Sequence, residues 1–129
     1  MPASASEAEA GALSLINIAR AEAGCRPLTV SPALAALAGD HSRDMAAAGY
    51  AASTSPSRGT VWNRAERAGV EGMAAENIAR GPADPQALLN VWTGSPGARA
   101  NLLNCDYRST GIGAYFNGSG FWWTEEFAT

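Results

Sequence analysis

Toward its C-terminus the chain changes hydrophobic period, from the three- and four-residue step of a helix to the two-residue step of a strand, and this switch constrains the fold most. Ile112, Ala114 and Phe116 alternate with Gly111, Gly113 and Tyr115. Asn117-Gly118-Ser119-Gly120 supplies turn residues, and Phe121 to Phe127 returns as a second strand, so a C-terminal β-hairpin is expected. Upstream the pattern is helical. From about Ser6 to Ala23 the apolar positions Leu13, Ile16, Ala19 and Ala23 recur at helical steps, with Glu7, Glu9, Arg20 and Glu22 for the wet face and Gly24 as the stop. Ser31-Pro32 opens a second helix, serine as N-cap and proline at the first helical position; its buried stripe reads Leu34, Leu37, His41, Met45 and Ala48, and Gly49 ends it.

Residues 50–60 have a loop composition of Ala, Ser, Thr, Pro and Gly. A short helix opens at Thr60 or Trp62 and runs through Ala68; Gly69 to Ala74 is irregular, and Ala75 to Ala79 reads as a buried turn or short strand. Asp84-Pro85 and Ser95-Pro96 repeat the cap-and-proline signal, for one helix carrying Leu88, Leu89 and Trp92 and another carrying Ala98 to Leu103. Helices first and strands last, without regular βαβ alternation, give an α+β fold in which helices pack on a small, largely antiparallel sheet. No repeat or linker interrupts it, and 129 residues make one domain, 1–129.

Composition excludes several functions. A net charge of −3 does not suit a nucleic-acid binder or a cationic membrane-surface protein, and no run approaches the roughly 20 apolar residues that span a bilayer. The opening Ala3-Ser4-Ala5-Ser6-Glu7 lacks the basic start and apolar stretch of a secretory signal, so such a signal was either removed or never present. Of the tryptophans Trp62, Trp92, Trp122 and Trp123, most are expected in the core. Trp122 and Trp123 are neighbours on a strand and face opposite sides, which leaves one of them for solvent or a partner.

Cys25 and Cys105 are too far apart for a CxxC redox pair and too few for a cysteine zinc site. From spacing alone, a bridge and a pair of buried thiols both remain open. A bridge would close a loop of about 80 residues and contribute at most about 4 to 5 kcal/mol by chain entropy.

Catalytic constellations are sparse. The lone histidine, His41, lies between Asp40 and Ser42, but helical neighbours point about 100° apart and cannot form a relay among themselves. No GxSxG elbow occurs, and Gly111-Ile112-Gly113 lies in a strand rather than before a helix. His41 on an apolar stripe reads first as a hydrogen-bonded core or cavity-wall residue. Glu76, between Ala75 and Ile78, is a buried carboxylate that must be hydrogen-bonded, paired or protonated, either as a structural acceptor or as a functional group. Glu125 and Glu126 alternate in direction, so only one is expected inside.

Taken in order, Leu34-Ala35-Ala36-Leu37-Ala38 with His41-Ser42-Arg43-Asp44-Met45, Arg64 with Ala68-Gly69, Ala75 to Gly81, Trp92 through Asn101-Leu102-Leu103, Gly111-Ile112-Gly113 and Trp123-Thr124 to Phe127 resemble a bacterial CAP (SCP) domain over nearly the whole chain. The family comprises the cysteine-rich secretory, antigen 5 and pathogenesis-related proteins. The resemblance implies an α-β-α sandwich with a central cavity, a Cys25–Cys105 disulfide and a secreted, extracellular location. It also implies a cavity where relatives gather two histidines and acids around a divalent cation. Here Ser53 and Ala98 stand where those histidines are expected and only the Glu76 position is kept, so a metal-free cavity containing Glu76 and His41 is expected. Glu125 stands where relatives carry glutamine and is expected to add an acid nearby.

The leading functional expectation is a non-enzymatic extracellular binding module whose cavity or clefts contact a lipid or small apolar ligand, an envelope component or another protein. The alternatives are a metal-independent hydrolase with Glu76 as general base and a structural envelope protein. No cofactor and no nucleic-acid partner are expected, and the chain is expected to be a monomer.

Overall fold

The computed structural model describes residues 4–118 and 120–129; Ser119 of the expected turn lies outside the described residues. Helix α1, Ala5–Glu22, starts where the Ser4 side chain accepts a hydrogen bond from the Glu7 amide, and it buries Ala8, Ala12, Ile16 and Arg20. Arg20 was expected on the wet face, yet it is fully buried. Carbonyls decide its place: its guanidinium donates to Arg26 O at 3.0 Å, Leu102 O at 2.8 Å, Asn104 O at 3.0 Å and Tyr107 O at 3.0 Å. A charged side chain is buried only when so many donors are satisfied. The Cys25–Cys105 disulfide closes beside it, across 80 residues of chain.

Helix α2, Pro32–Ala48, follows its cap signal: the Ser31 side chain accepts from Leu34 N, Pro32 begins the helix, and Gly49 ends it at φ 73°. Helices α3, Val61–Arg67, and α4, Pro85–Thr93, are capped by Thr60 and Asp84. Helix α5, Pro96–Leu102, has the proline but no side-chain bond from Ser95. The strands are β1, Thr29–Val30, β2, Met73–Gly81, β3, Ser109–Phe116, and β4, Phe121–Ala128. Their order is β1-β3-β4-β2, antiparallel except for the short parallel β1–β3 pair. The Ala75–Ala79 segment thus belongs to a nine-residue strand, because pairing with β4 extends it at both ends.

Side chains alternate across this sheet. Toward α2 and α3 face Gly111 and Gly113 of β3, Thr124 and Glu126 of β4, and Glu76 of β2, which lie opposite one another in register. Toward α1, α4 and α5 face Ile112, Ala114, Phe121, Trp123, Phe127, Ala75 and Ala79, forming the main apolar core with Ala8, Ala12, Ile16, Leu88 and Trp92. The architecture is therefore α+β, a sheet between two helical layers with a C-terminal hairpin. Both layers are covered, so Trp122 and Trp123 are both buried, and Trp122 lies under the Arg80 guanidinium at 4.3 Å. The exposed tryptophan is Trp62, at 53%.

The glycines of β3 set the distance between α2 and the sheet. A Cβ on Gly111 would stand 2.0 Å from Ala35 N, and one on Gly113 would stand 2.3 Å from Gly39 N. Backbone rests on backbone there. Gly113→Ala is expected to lose on the order of 3 kcal/mol or more, since the helix must be pushed off the strand. Gly97→Ala, at a position with no neighbour within 4 Å, is expected to leave stability unchanged or slightly raised. Urea unfolding midpoints of the two variants check the contrast.

Candidate functional site

Because α2 sits so close to the sheet, His41 in its middle turns is carried down to the level of β2. The imidazole is fully buried, its Nε2 lies 2.8 Å from Ala52 O and 4.0 Å from Glu76 Oε1, and its Nδ1 has no partner among the described residues. A carbonyl only accepts, so the proton sits on Nε2. Burial lowers the His41 pKa, and attraction to Glu76 opposes this in part. The ring meets Tyr50 edge-on, with centroids 5.9 Å apart. Tyr50 OH and Ser55 Oγ, the latter at 2.7 Å, both donate to Asp44 Oδ2, and the Tyr50 bond chiefly holds the Asp44 carboxyl below its usual range. Ser55 in turn closes a tight loop with Gly59, by paired backbone bonds of 2.9 and 3.1 Å.

Arg64 of α3 organises the floor. Its Nη1 donates to Glu76 Oε2 at 3.1 Å and its Nη2 to Glu76 Oε1 at 3.0 Å, a two-pronged grip, while Nη2 also reaches Ser53 O at 2.6 Å. Glu126 stands directly across the ladder from Glu76, fully buried, with Oε2 3.7 Å from Arg64 Nη1. One guanidinium thus faces two carboxyl groups. Burial first, and the neighbouring Glu76 second, push Glu126 far above the ordinary carboxylate range, so it carries a proton at neutral pH.

The structure brings His41, Ser53 and Glu76 together. Ser53 takes part through its carbonyl. Ala98 stands elsewhere: it lies on α5, packs against the core on the other side of the sheet, and its carbonyl accepts from Asn77 Nδ2 at 3.1 Å. Adjacent strand residues point to opposite faces, so Asn77 addresses α5 while Glu76 addresses α2 and α3. The same parity corrects the expectation for the terminal acids. Both are buried, one on each face: Glu126 joins the Glu76 cluster, and Glu125 faces α1 with its Oε2 2.8 Å from Thr110 Oγ1. Burial pushes Glu125 up to about 8, opposed by the Thr110 bond and then by the Arg20 charge.

These donors do not suit a divalent cation. Both Glu76 oxygens are held by Arg64, the Ser53 carbonyl is already bonded, and His41 carries its proton on Nε2, which leaves Nδ1 as a single uncommitted donor. Among the described residues, no three His, Cys, Asp or Glu side chains converge as a ligand set. Nor do Asp40, His41 and Ser42 form a relay, since Asp40 pairs with Arg43 and Ser42 Oγ bonds Gly113 O and Thr124 Oγ1, each at 2.8 Å. Above the floor opens a cleft of about 400 Å³, lined by Leu37, Asp40, His41, Arg58, Arg64, Arg67 and Ala68. Glu76 is not among its walls, and its side chain is 1% exposed.

Sequence reasoning did not assign Arg64 or Glu126 to this site. A signal for Arg64 was present, since a carboxylate amid apolar neighbours must find a cation or give up its charge. Glu126 needed the β2–β4 register, which no local pattern carries.

Known proteins give the arrangement its context. A model of the cysteine-rich secretory protein family, CAP, matches residues 13–127. The uncharacterized protein YkwD of Bacillus subtilis (strain 168) is 32% identical over 127 residues, 98% of this chain and 49% of that protein. This chain therefore spans about half the length of that curated relative. Among solved structures, an extracellular protein containing a SCP domain from Bacillus anthracis str. Ames superposes with a TM-score of 0.87 at 30% identity, over 96% of this chain and 41% of its own. An outer surface protein from Borrelia burgdorferi shares the fold, with a TM-score of 0.89 at 17% identity over 98% of this chain and 96% of its own.

Arg64→Met is expected to cost about 3 to 5 kcal/mol in urea unfolding, because it leaves Glu76 buried and unpaired. Glu126→Gln, which replaces a protonated acid by its neutral analogue, is expected to change stability at pH 5 by less than about 1 kcal/mol. The pH dependence follows with a definite sign. Unfolded, Glu125 releases its proton near 4.5, and folded near about 8, so between these values the native state binds more protons and stability falls as pH rises. Glu126 acts in the same direction. Unfolding measured from pH 5 to 8 is expected to show this decline, at up to roughly 1.4 kcal/mol per unit for each group, offset in part below about pH 6.5 by His41, whose burial lowers its pKa; Glu125→Gln and Glu126→Gln are each expected to flatten it.

Proposed function

The chain belongs to the cysteine-rich secretory protein (CAP) family, and from that membership we propose that it is an extracellular binding module that lacks the family's cation site and works without a catalytic step, its binding surface being the cleft above the Arg64–Glu76 pair. One observation carries this reading. Glu76, the carboxylate a metal-independent hydrolase would use as general base, has both oxygens gripped by Arg64 and does not reach the cleft wall. A general base must come within hydrogen-bond reach of a substrate proton, or reach it through one water. Here Arg64 stands in that position. Glu126 carries a proton and is equally enclosed, so it supplies no substitute.

What lines the cleft instead is three arginines, Asp40 and an uncharged imidazole, with Leu37 and Ala68 as the apolar part. Such walls favour a polar or anionic envelope component over an apolar ligand. An extracellular site of action accords with the disulfide, which persists in oxidising compartments. It accords also with the extracellular and outer-surface proteins that share the fold. No described helix is long and apolar enough to cross a membrane.

A broad panel of esterase, peptidase and glycosidase substrates separates binder from enzyme. No turnover above background is expected for the wild type or for Glu76→Gln. Turnover that disappears in Glu76→Gln would overturn the proposal in favour of the hydrolase.

A further inference from the structure

The charges lining the cleft are unequally spent. Asp40, its one acid, is bonded by Arg43 at 2.7 Å, and Arg64 is matched by Glu76. Arg58 and Arg67 are exposed, and neither forms a close ion pair among the described residues. The Arg58 charge helps to hold the Asp44 carboxyl low, but that carboxylate is bonded by Tyr50 and Ser55 and makes no close pair with Arg58. Arg67 is braced across the mouth, because its Nη2 donates to the Arg58 carbonyl. In the floor, the buried Arg64 Nε–H finds no acceptor and His41 Nδ1 finds no donor among the described residues.

The floor atoms are enclosed, so what the concavity offers a ligand is the two unspent guanidiniums at its rim, and these suit oxygen acceptors. The two rim arginines come from two elements, Arg58 from the 55–59 turn and Arg67 from α3, so a ligand that meets both must offer more than one oxygen. A planar carboxylate offers two oxygens in one plane, whereas a tetrahedral phosphate offers three or more around a centre. With a volume of about 400 Å³, the cleft has room for the rest of a phosphoester beside the phosphate itself.

We propose that this cleft is a phosphate-binding site that takes the phosphate group of a phosphoester, with Arg58 and Arg67 as its charged ligands and Arg64 with His41 as its floor. It rests on the reading of the cleft as the binding surface and narrows that reading to a ligand class.

The chain's single histidine lies buried beneath this cleft and makes a unique reporter. Inorganic phosphate titrated against the full chain, followed by the His41 ring signals in NMR at constant pH and ionic strength, is expected to give a saturable shift that chloride does not reproduce. Arg58→Gln with Arg67→Gln is expected to weaken binding by about tenfold or more. Arg67→Gln alone is expected to weaken it partway, which keeps the test valid if the double variant loses its native amide spectrum. Arg26→Gln with Arg108→Gln, altering arginines that line a separate cleft, is expected to bind as the wild type does. A shift that never saturates, or equal weakening in both double variants, would overturn the phosphate site.

Two further arms distinguish the source. Glycerol 3-phosphate binding without sedimentation on phosphatidylglycerol vesicles supports a soluble or polymeric phosphoester, and sedimentation lost in the Arg58/Arg67 double variant supports a lipid headgroup. Failure of phosphate to bind, with no turnover on the hydrolase panel, removes the phosphate assignment alone and leaves the non-enzymatic cleft standing.

Discussion

Backbone contact between α2 and β3 is the constraint on which the rest of the structure depends. Helices normally pack on sheets at about side-chain distance, because residues on both surfaces intervene. Here Gly111 and Gly113 take the side chains away from the strand, while Ala35, Ala38 and Gly39 keep those of the helix small. The helix backbone rests directly on the strand backbone, and two consequences follow. Ser42 reaches the sheet itself, bonding Gly113 O and Thr124 Oγ1. His41, one residue along, comes level with Glu76 on the far side of β4. A more ordinary spacing would leave the imidazole and the carboxylate without any direct relation.

Once that face is closed, electrostatics governs what it can hold. Two carboxyl groups opposite each other in a ladder, both buried, cannot both carry charge beside a single guanidinium without a large desolvation penalty. The arrangement resolves this by placing the proton on Glu126 and giving Arg64 to Glu76. The opposite face uses a related device, a raised Glu125 in range of the buried Arg20, whose own donors are turned to backbone carbonyls. The two raised acids favour mild acid, whereas His41, whose pKa burial lowers, and Asp44, held low chiefly by its hydrogen bond to Tyr50, pull the other way.

Much of the fold was legible because it rests on local signals. Ser31-Pro32 and Asp84-Pro85 predicted two helix starts with their side-chain caps, and the period-two run from Gly111 predicted the hairpin. What escaped was whatever depends on partners distant in sequence. Arg20 looks like a surface residue until four carbonyls of other segments gather round it. Ala75 to Ala79 reads as a turn or short strand, and only pairing with β4 settles it as part of a nine-residue strand, while Glu125 and Glu126 look like one inside and one outside residue until the sheet is covered twice. In the site, His41 and Glu76 were legible as polar residues on apolar stripes. The need of Glu76 for a cation was legible too, but that the cation is Arg64 and that Glu126 joins them was not, because the first is chosen by the folding of the 53–64 segment and the second by strand register.

Arg64 does mechanically what a bound cation could do in the same place. It holds three separate pieces of chain, at the Ser53 carbonyl, at Glu76 on β2 and at Glu126 on β4, and so pins the 52–59 loop and α3 over the edge of the sheet. A guanidinium fixed by its own helix carries one charge rather than two, and it leaves no open coordination position. The floor it makes is consequently close to neutral, with one cation, one paired carboxylate, one protonated acid and one neutral imidazole. The excess positive charge is displaced outward to Arg58 and Arg67 at the rim. The proposed anion site therefore rests on the charges at the mouth, and the paired floor beneath them serves to hold the cleft's shape.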